Sequence, residues 1–333
     1  MAKRKRKKSS SNFLTYIAWG LAIIAISLSS LVGGYYLGYE NAKKDISKKV
    51  KEDKKKRLSM LQKLEDASAK KEKANVTARL KDVLKKESKK DTGAAAHEYD
   101  DATLPEPPAP PRRDFKQTTS KPKLAIIIDD VSVRSHVNAI KSLGIPLTMS
   151  FLPPSKLRPN SAKLAAKESF YMVHLPMEAQ NFSAEEPMTL RTSDSDEKIL
   201  SRIKEIKTIF PRVSYINNHT GSKFTSDEVS MNRLIYALKS ENINFVDSRT
   251  TAETKAPKVM QNLGLNYIAR DVFLDHAMDK ESIKTQIKRA IKIAKLHGTA
   301  IAIGHPHANT LMALHESKKL FKDVELVYIN RLY

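Results

Sequence analysis

Two adjacent carboxylates, Asp129 and Asp130, directly follow the apolar run Leu124–Ile128. Further apolar runs end in His174, then in Asn217, Asn218 and His219, then in Asp247, Ser248 and Arg249. Later runs end in Arg270 and Asp271, and in Gly304, His305 and His307. Asp130, His174 and His219 make a set of one carboxylate and two imidazoles, which leaves coordination positions for water and substrate. Such donors suit Zn, Fe, Co or Ni better than Mg or Ca, which prefer oxygen shells. The expected cofactor is a divalent metal ion, zinc first. A bound ion can lower the pKa of its water to about 7. Asp129 is placed to take a proton from that water, and His305 to give one to a leaving amine. Arg270 and Asn218 are candidates for polarising a carbonyl or orienting a ligand. Asp247, Arg249, Asp271 and His307 fall on the same strand ends, as substrate-binding or supporting groups; Asp247 and Arg270–Asp271 also fit an ion network that holds the rim. The chemistry described is metal-assisted hydrolysis of an amide or ester.

Each residue also has a plainer reading. An Asp-Asp pair after a strand is common at helix N-caps. His174 precedes Leu175-Pro176 and fits a strand end, and His219 fits a local turn with Gly221 and Ser222. His97 lies in a linker. His136, His276, His297 and His315 are expected on helices or helix ends, with surface roles.

The elements that must position these groups alternate. Strands are expected at Leu124–Ile128, Leu147–Leu152, Phe170–Leu175, Ser214–Asn218, Asn244–Val246, Tyr267–Ala269, Thr299–Ile303 and Glu325–Ile329. Amphipathic helical patterns lie between most of them, as at Lys198–Ile209, Met231–Lys239 and Ile283–Leu296. This repetition predicts an α/β fold with a distorted (β/α) barrel of seven to eight parallel strands, whose C-terminal strand ends form the functional rim. An open doubly wound sheet is the alternative. No Gly-rich phosphate fingerprint follows the first strand, which counts against a nucleotide site.

Composition sets the outer bounds. The chain has 333 residues and no Cys, which excludes disulfides, Cys-ligated zinc and a thiol nucleophile. Its 59 Lys and Arg outnumber 37 Asp and Glu, a net charge of +22. Residues 1–100 carry 25 of those cations against 12 acids, a net of +13. That excess flanks an apolar run, which favours membrane phosphates over nucleic acid. Residues 1–12 read as a basic cytoplasmic tail and 13–39 as a single transmembrane helix. Residues 40–92 read as a charged stalk, helical or disordered, and 93–121 as a Pro-rich linker. The folded domain is expected over 122–333. Positive charge flanks both ends of the span, so the positive-inside rule alone leaves its orientation open.

The ordered motifs LAIIIDD, MVHLPMEA, INNHTGS, FVDSRT, ARDVFLD and AIAIGHPH resemble those of the divergent polysaccharide deacetylase family. The resemblance spans about residues 122–320. One position departs: Thr220 stands where the family motif usually has Met. The resemblance implies a distorted barrel related to metal-dependent carbohydrate deacetylases, with Asp129 as base, Asp130 as ligand, and His174 or His219 completing the site. Better-studied relatives place two ligand histidines in one His-x-x-x-His segment. Here the fourth residue after His174 is Glu178, so His219 is the expected substitute and Glu178 a further possible ligand. The implied substrate is an N-acetylated cell-envelope glycan. The implied location is the inner membrane, with the N-terminus cytoplasmic and the barrel on the far side. The alternative is a catalytically inactive envelope protein that binds glycan or protein through the barrel.

Overall fold

The computed structural model describes residues 121–182 and 184–332, and outside them only Trp19. The expected tail, stalk and linker, and the expected span 13–39 apart from Trp19, lie outside the described residues. Among the described residues, no helix is long and apolar enough to cross a membrane.

The core is a parallel sheet. Its strands are β1 (Lys123–Val131), β2 (Thr148–Phe151), β3 (Met172–Met177), β4 (Tyr215–Thr220), β5 (Asn244–Val246), β6 (Val272–Phe273), β7 (Thr299–Gly304) and β8 (Glu325–Val327). Seven of them run in the order β5-β4-β3-β2-β1-β7-β6. β8 pairs with the first residues of β1, Lys123–Ala125, while β2 pairs with the later ones. β1 is therefore shared by three partners. Its buried Ile126-Ile127-Ile128 run is what a strand covered on both faces requires. The sheet curls, and a single bridge between Asp247 and Ala269 joins its two edges. The result is a distorted barrel.

That bridge corrects one expectation. Tyr267–Ala269 does not form the sixth strand; Val272–Phe273 does. Around Ala269 the backbone divides its bonds between two neighbours. Asp247 N donates to Ile268 O and Arg270 N donates to Asp247 O, whereas Asp271 N donates to Ile301 O. Neither ladder is long enough there to make a continuous strand.

The helices are α1 (Arg134–Ser142), α2 (Ser161–Ala165), α3 (Asp196–Ile209), α4 (Ser222–Ser226), α5 (Glu228–Ser240), α6 (Ala256–Asn262), α7 (Lys280–His297) and α8 (Ala308–Glu316). α7 shows why they form. Asp279 caps its start by accepting from Ser282 N at 2.9 Å, and Gly298 ends it at φ 81°. Ile283, Ile287, Ala290, Ile291 and Ala294 recur on one buried face. Two histidines depart from expectation, one in its burial and one in its placement off any helix. His136 is buried on the inner face of α1. His276 lies in the loop between β6 and α7, its ring 6.4 Å from that of Phe273.

The barrel floor is apolar. Ala125, Ile127, Met172, Val246, Ile268, Ile301 and Ile303 pack together, and Val327, Ile329 and Leu332 join them from the C-terminal segment. Burying each large aliphatic side chain contributes about 1.5–3 kcal/mol. Thr148 belongs to the same layer, since its Oγ1 accepts from Ile329 N at 3.1 Å.

Candidate metal centre

Strand periodicity stacks a polar layer directly on that floor. Side chains two apart on a strand point the same way. Two residues beyond Ile127, Thr148, Met172, Tyr215, Val246, Ile268 and Ile303 stand Asp129, Ser150, His174, Asn217, Ser248, Arg270 and His305. All seven are buried. One alternation rule thus closes the floor and furnishes the mouth.

Asp130 breaks the rule. By parity it belongs on the opposite face from Asp129. However, the β1–β2 register shifts between Ile128 and Val131, and Asp130 has φ 55°. A bulge re-aims a side chain in this way, so both carboxylates reach His174. His174 Nε2 is 3.5 Å from Asp130 Oδ1 and 3.6 Å from Asp129 Oδ2. His219, two beyond Asn217 on β4, places Nδ1 3.1 Å from Asp130 Oδ1. The two imidazoles meet edge to face, with centroids 5.0 Å apart.

These residues fit a metal ion. One ligand atom from each of Asp130, His174 and His219 lies within 4.8 Å of the other two, and all three residues are buried. Bonds of about 2.1 Å to one ion separate ligand atoms by roughly 3.0 Å at right angles and roughly 3.4 Å at tetrahedral angles. The observed 3.1 and 3.5 Å have that spacing. Burial also pushes the His174 imidazolium well below its usual range, partly opposed by Asp130. The neutral ring is the form a metal requires.

Asp129 is held apart from this set by Asn217, whose Nδ2 donates to both carboxylate oxygens at 3.0 and 2.9 Å. The same nitrogen donates to Ser248 Oγ at 2.9 Å, and Asn217 Oδ1 accepts from Ser150 Oγ at 2.6 Å. Burial raises the Asp129 carboxyl well above the usual carboxylate range; the Asn217 bond opposes this, and the charge of Asp130 adds to it. A raised carboxyl facing a cluster of donors is the kind of group that exchanges protons at functional sites.

At the end of β7, whose Gly304 pairs with Ile128 of β1, His305 Nδ1 lies 3.0 Å from Asp275 Oδ1. Asp275 Oδ2 accepts from His305 N at 2.7 Å and from Thr310 Oγ1 at 2.6 Å. Burial alone would raise Asp275. The facing His305 and these hydrogen bonds instead hold it well below the usual carboxylate range. Both the His305–Asp275 pair and Arg270 lie within electrostatic reach of the other groups, since His305 acts on His174 and Arg270 on Asp129.

The remaining expected residues support the rim. Arg270 donates from Nε to Ser248 O at 2.7 Å and from Nη2 to Arg249 O at 2.9 Å, over the Phe273 ring. Arg249 Nη1 returns a bond to Arg270 O at 2.9 Å. Asp247 accepts from Arg249 N, Thr254 Oγ1 and Tyr267 Oη, and Asp271 accepts from Ile301 N. His307 is the N-cap residue of α8, its ring 5.7 Å from that of His305. Two residues differ from expectation. Asn218 faces away from the mouth and ties loops, accepting from Ser248 N and donating to Thr220 O. Glu178 is engaged by Thr192 and Lys223 at 2.8–2.9 Å and is not among the grouped donors. Parity alone would aim Glu178 with His174, four residues earlier, but β3 ends at Met177 and the rule ends with it.

Sequence reasoning assigned no role to Asn217, Ser150, Ser248 or Asp275. The first three follow from the parity rule. Asp275 ends the ARDVFLD motif, but only the fold brings it under His305.

The comparisons agree with this architecture. A family model described as divergent polysaccharide deacetylase matches residues 126–333. The uncharacterized protein YibQ of Escherichia coli K12 is 35% identical over 216 residues, which is 63% of this chain and 67% of that one. An uncharacterized protein of Haemophilus influenzae is 32% identical over 216 residues, covering 63% of this chain and 76% of its own. The crystal structure of the uncharacterized protein ATU2773 from Agrobacterium tumefaciens C58 shares the fold, with a TM-score of 0.57 at 16% identity. It covers 66% of this chain and 92% of that one. With ordered motifs, barrel and matched span in agreement, the chain belongs to the divergent polysaccharide deacetylase family.

Proposed function

We propose that this protein is a metal-dependent hydrolase that removes acetyl groups from an N-acetylated cell-envelope glycan. It is anchored in the inner membrane through residues 13–39, with the barrel beyond the membrane. One observation carries the reading: Asp130, His174 and His219 converge at one mouth, with Asp129 against His174 and His305 at the end of the adjoining strand. Asp130, His174 and His219 would hold the ion, with zinc the ion their donors favour. When bound, such an ion supplies a Lewis acid and an acidified water.

The chain's own groups do the rest. Asp129 Oδ2 receives a proton as water adds to the acetamide carbonyl; Asn217 fixes the orientation of that carboxylate. Arg270, bound to the carbonyls of Ser248 and Arg249, keeps positive charge beside Asp129 without moving. His305 gives a proton to the departing sugar amine, and Asp275 stabilises the imidazolium before transfer. The products are acetate and a free amine.

The test is acetate release from N-acetylated oligosaccharides by the full chain supplied with zinc. Asp129→Asn should lower the rate at least about 100-fold, with the ion still bound. No release from any glycan, with the ion demonstrably bound, would leave the barrel as a binding module.

A further inference from the structure

A basic cleft of about 600 Å³ opens between the loops that follow the C-terminal ends of β1 and β2, the same strand ends that carry the site. Its walls include Ser132, Arg134, Arg158, Asn160, Lys163 and Lys167. Ser132 follows the end of β1, two residues past Asp130, and Arg158 lies within electrostatic reach of Asp130. Four lining residues are cations and no lining residue is a carboxylate. Arg134, Lys163 and Lys167 are exposed and are in no ion pair among the described residues. Arg158 is buried, donates from Nε to Pro153 O at 3.4 Å and is ion-paired with Glu186. A carboxylate of the chain itself thus already meets this guanidinium, which leaves Arg134, Lys163 and Lys167 to face an incoming one.

We infer that this cleft holds an acidic group of the substrate, so that the glycan acted on carries a carboxylate close to the acetamido sugar. The inference rests on the glycan reading above and narrows it from any N-acetylated polymer to an anionic one. Arg is suited to carboxylates because its planar fork matches them. Exposed lysines add less, up to about fivefold in affinity for each pair. The attraction of Lys163 and Lys167 is also screened by salt.

The test uses the full chain, detergent-solubilised and zinc-loaded, with calorimetric binding as the readout. The probes are the disaccharide N-acetylglucosaminyl-N-acetylmuramic acid and its methyl ester, which differ by one charge. The expected result is that the acid binds at least about tenfold tighter than the ester at low salt. That preference should collapse toward unity in the R134Q/K163Q/K167Q triple variant and at 300 mM salt (about a 6 Å screening length). Equal binding of acid and ester, or a preference that survives the triple variant, overturns the inference. Inorganic phosphate that competes as strongly as the disaccharide acid also overturns it, because the cleft is then a simple anion site. A tenfold preference without any acetate release sustains the cleft assignment while refuting the deacetylase reading, so the two failures are distinguishable.

Discussion

Replacing Asp275 by Asn probes how His305 is made ready to donate a proton. The carboxylate accepts three hydrogen bonds: from His305 Nδ1 at 3.0 Å, His305 N at 2.7 Å and Thr310 Oγ1 at 2.6 Å. An amide has one acceptor oxygen. If it stays on the backbone N–H and the Thr310 hydroxyl, its NH2 faces His305 Nδ1. That nitrogen must then accept, and the ring proton moves to Nε2. A charge-assisted hydrogen bond is worth about 1.5–3 kcal/mol, so the imidazolium formed in turnover is disfavoured by about 10- to 150-fold. The value of kcat should fall by that factor with KM little changed, because the pair acts on the leaving amine. Folding stability should fall by a similar 1.5–3 kcal/mol, about 3–12 °C in Tm for a domain of this size. Acetate-release kinetics and the ¹⁵N shifts of His305 measure the two effects separately. Wild-type kcat together with an unchanged Nδ1–H tautomer would refute the pairing as a catalytic device.

The same carboxylate sets a pH dependence. Its folded pKa lies below the ordinary carboxylate value of about 4, so its contribution to stability is complete above that value and is lost as pH falls toward the folded pKa. The stability gap between wild type and Asp275→Asn should therefore narrow below about pH 4, as read by urea titration. Asp130→Ala should reduce the bound divalent ion from about one per chain to a small fraction, measured by elemental analysis after dialysis. Full metal occupancy in that variant would remove Asp130 from the centre. Asn217→Ala leaves Asp129, Ser150 and Ser248 without their shared partner and should cost at least about 1–3 kcal/mol, seen as a lower urea midpoint with unchanged m. Gly221→Ala should also destabilise, by at least about 1–2 kcal/mol. Its φ is 96°, and an added Cβ would stand 2.9 Å from Met177 Cβ. A neutral Tm would show that this turn relaxes freely.

Much of the barrel was legible because its strands obey period two against fixed partners. Apolar runs marked seven of the eight strands with small end errors, five of them by ending in ionisable residues, and parity alone predicts which neighbours share the mouth. The features that escaped are those where the backbone leaves that rule. Nothing in the order of residues announces the left-handed turn at Asp130 that brings it beside Asp129. The split ladder around Ala269 hides the sixth strand, because its bonds depend on two edges meeting. Partners across the fold, such as Asp275 under His305 or Glu186 on Arg158, are invisible until distant segments are placed together. The burial of His136 escaped because a short helix with two polar residues, Ser135 and His136, on its inner face reads as exposed.

β1 joins β2 on one flank and β7 on the other, and this divides the mouth by order of synthesis. Asp130, His174 and His219 come from β1, β3 and β4, in the first half of the barrel. Arg270 and His305 come from the second half, and β7 docks against β1 only after the chain has gone round. A nascent polypeptide therefore emits Asp130, His174 and His219 well before Arg270 and His305. On the proposed function, turnover would wait until the last staves are seated.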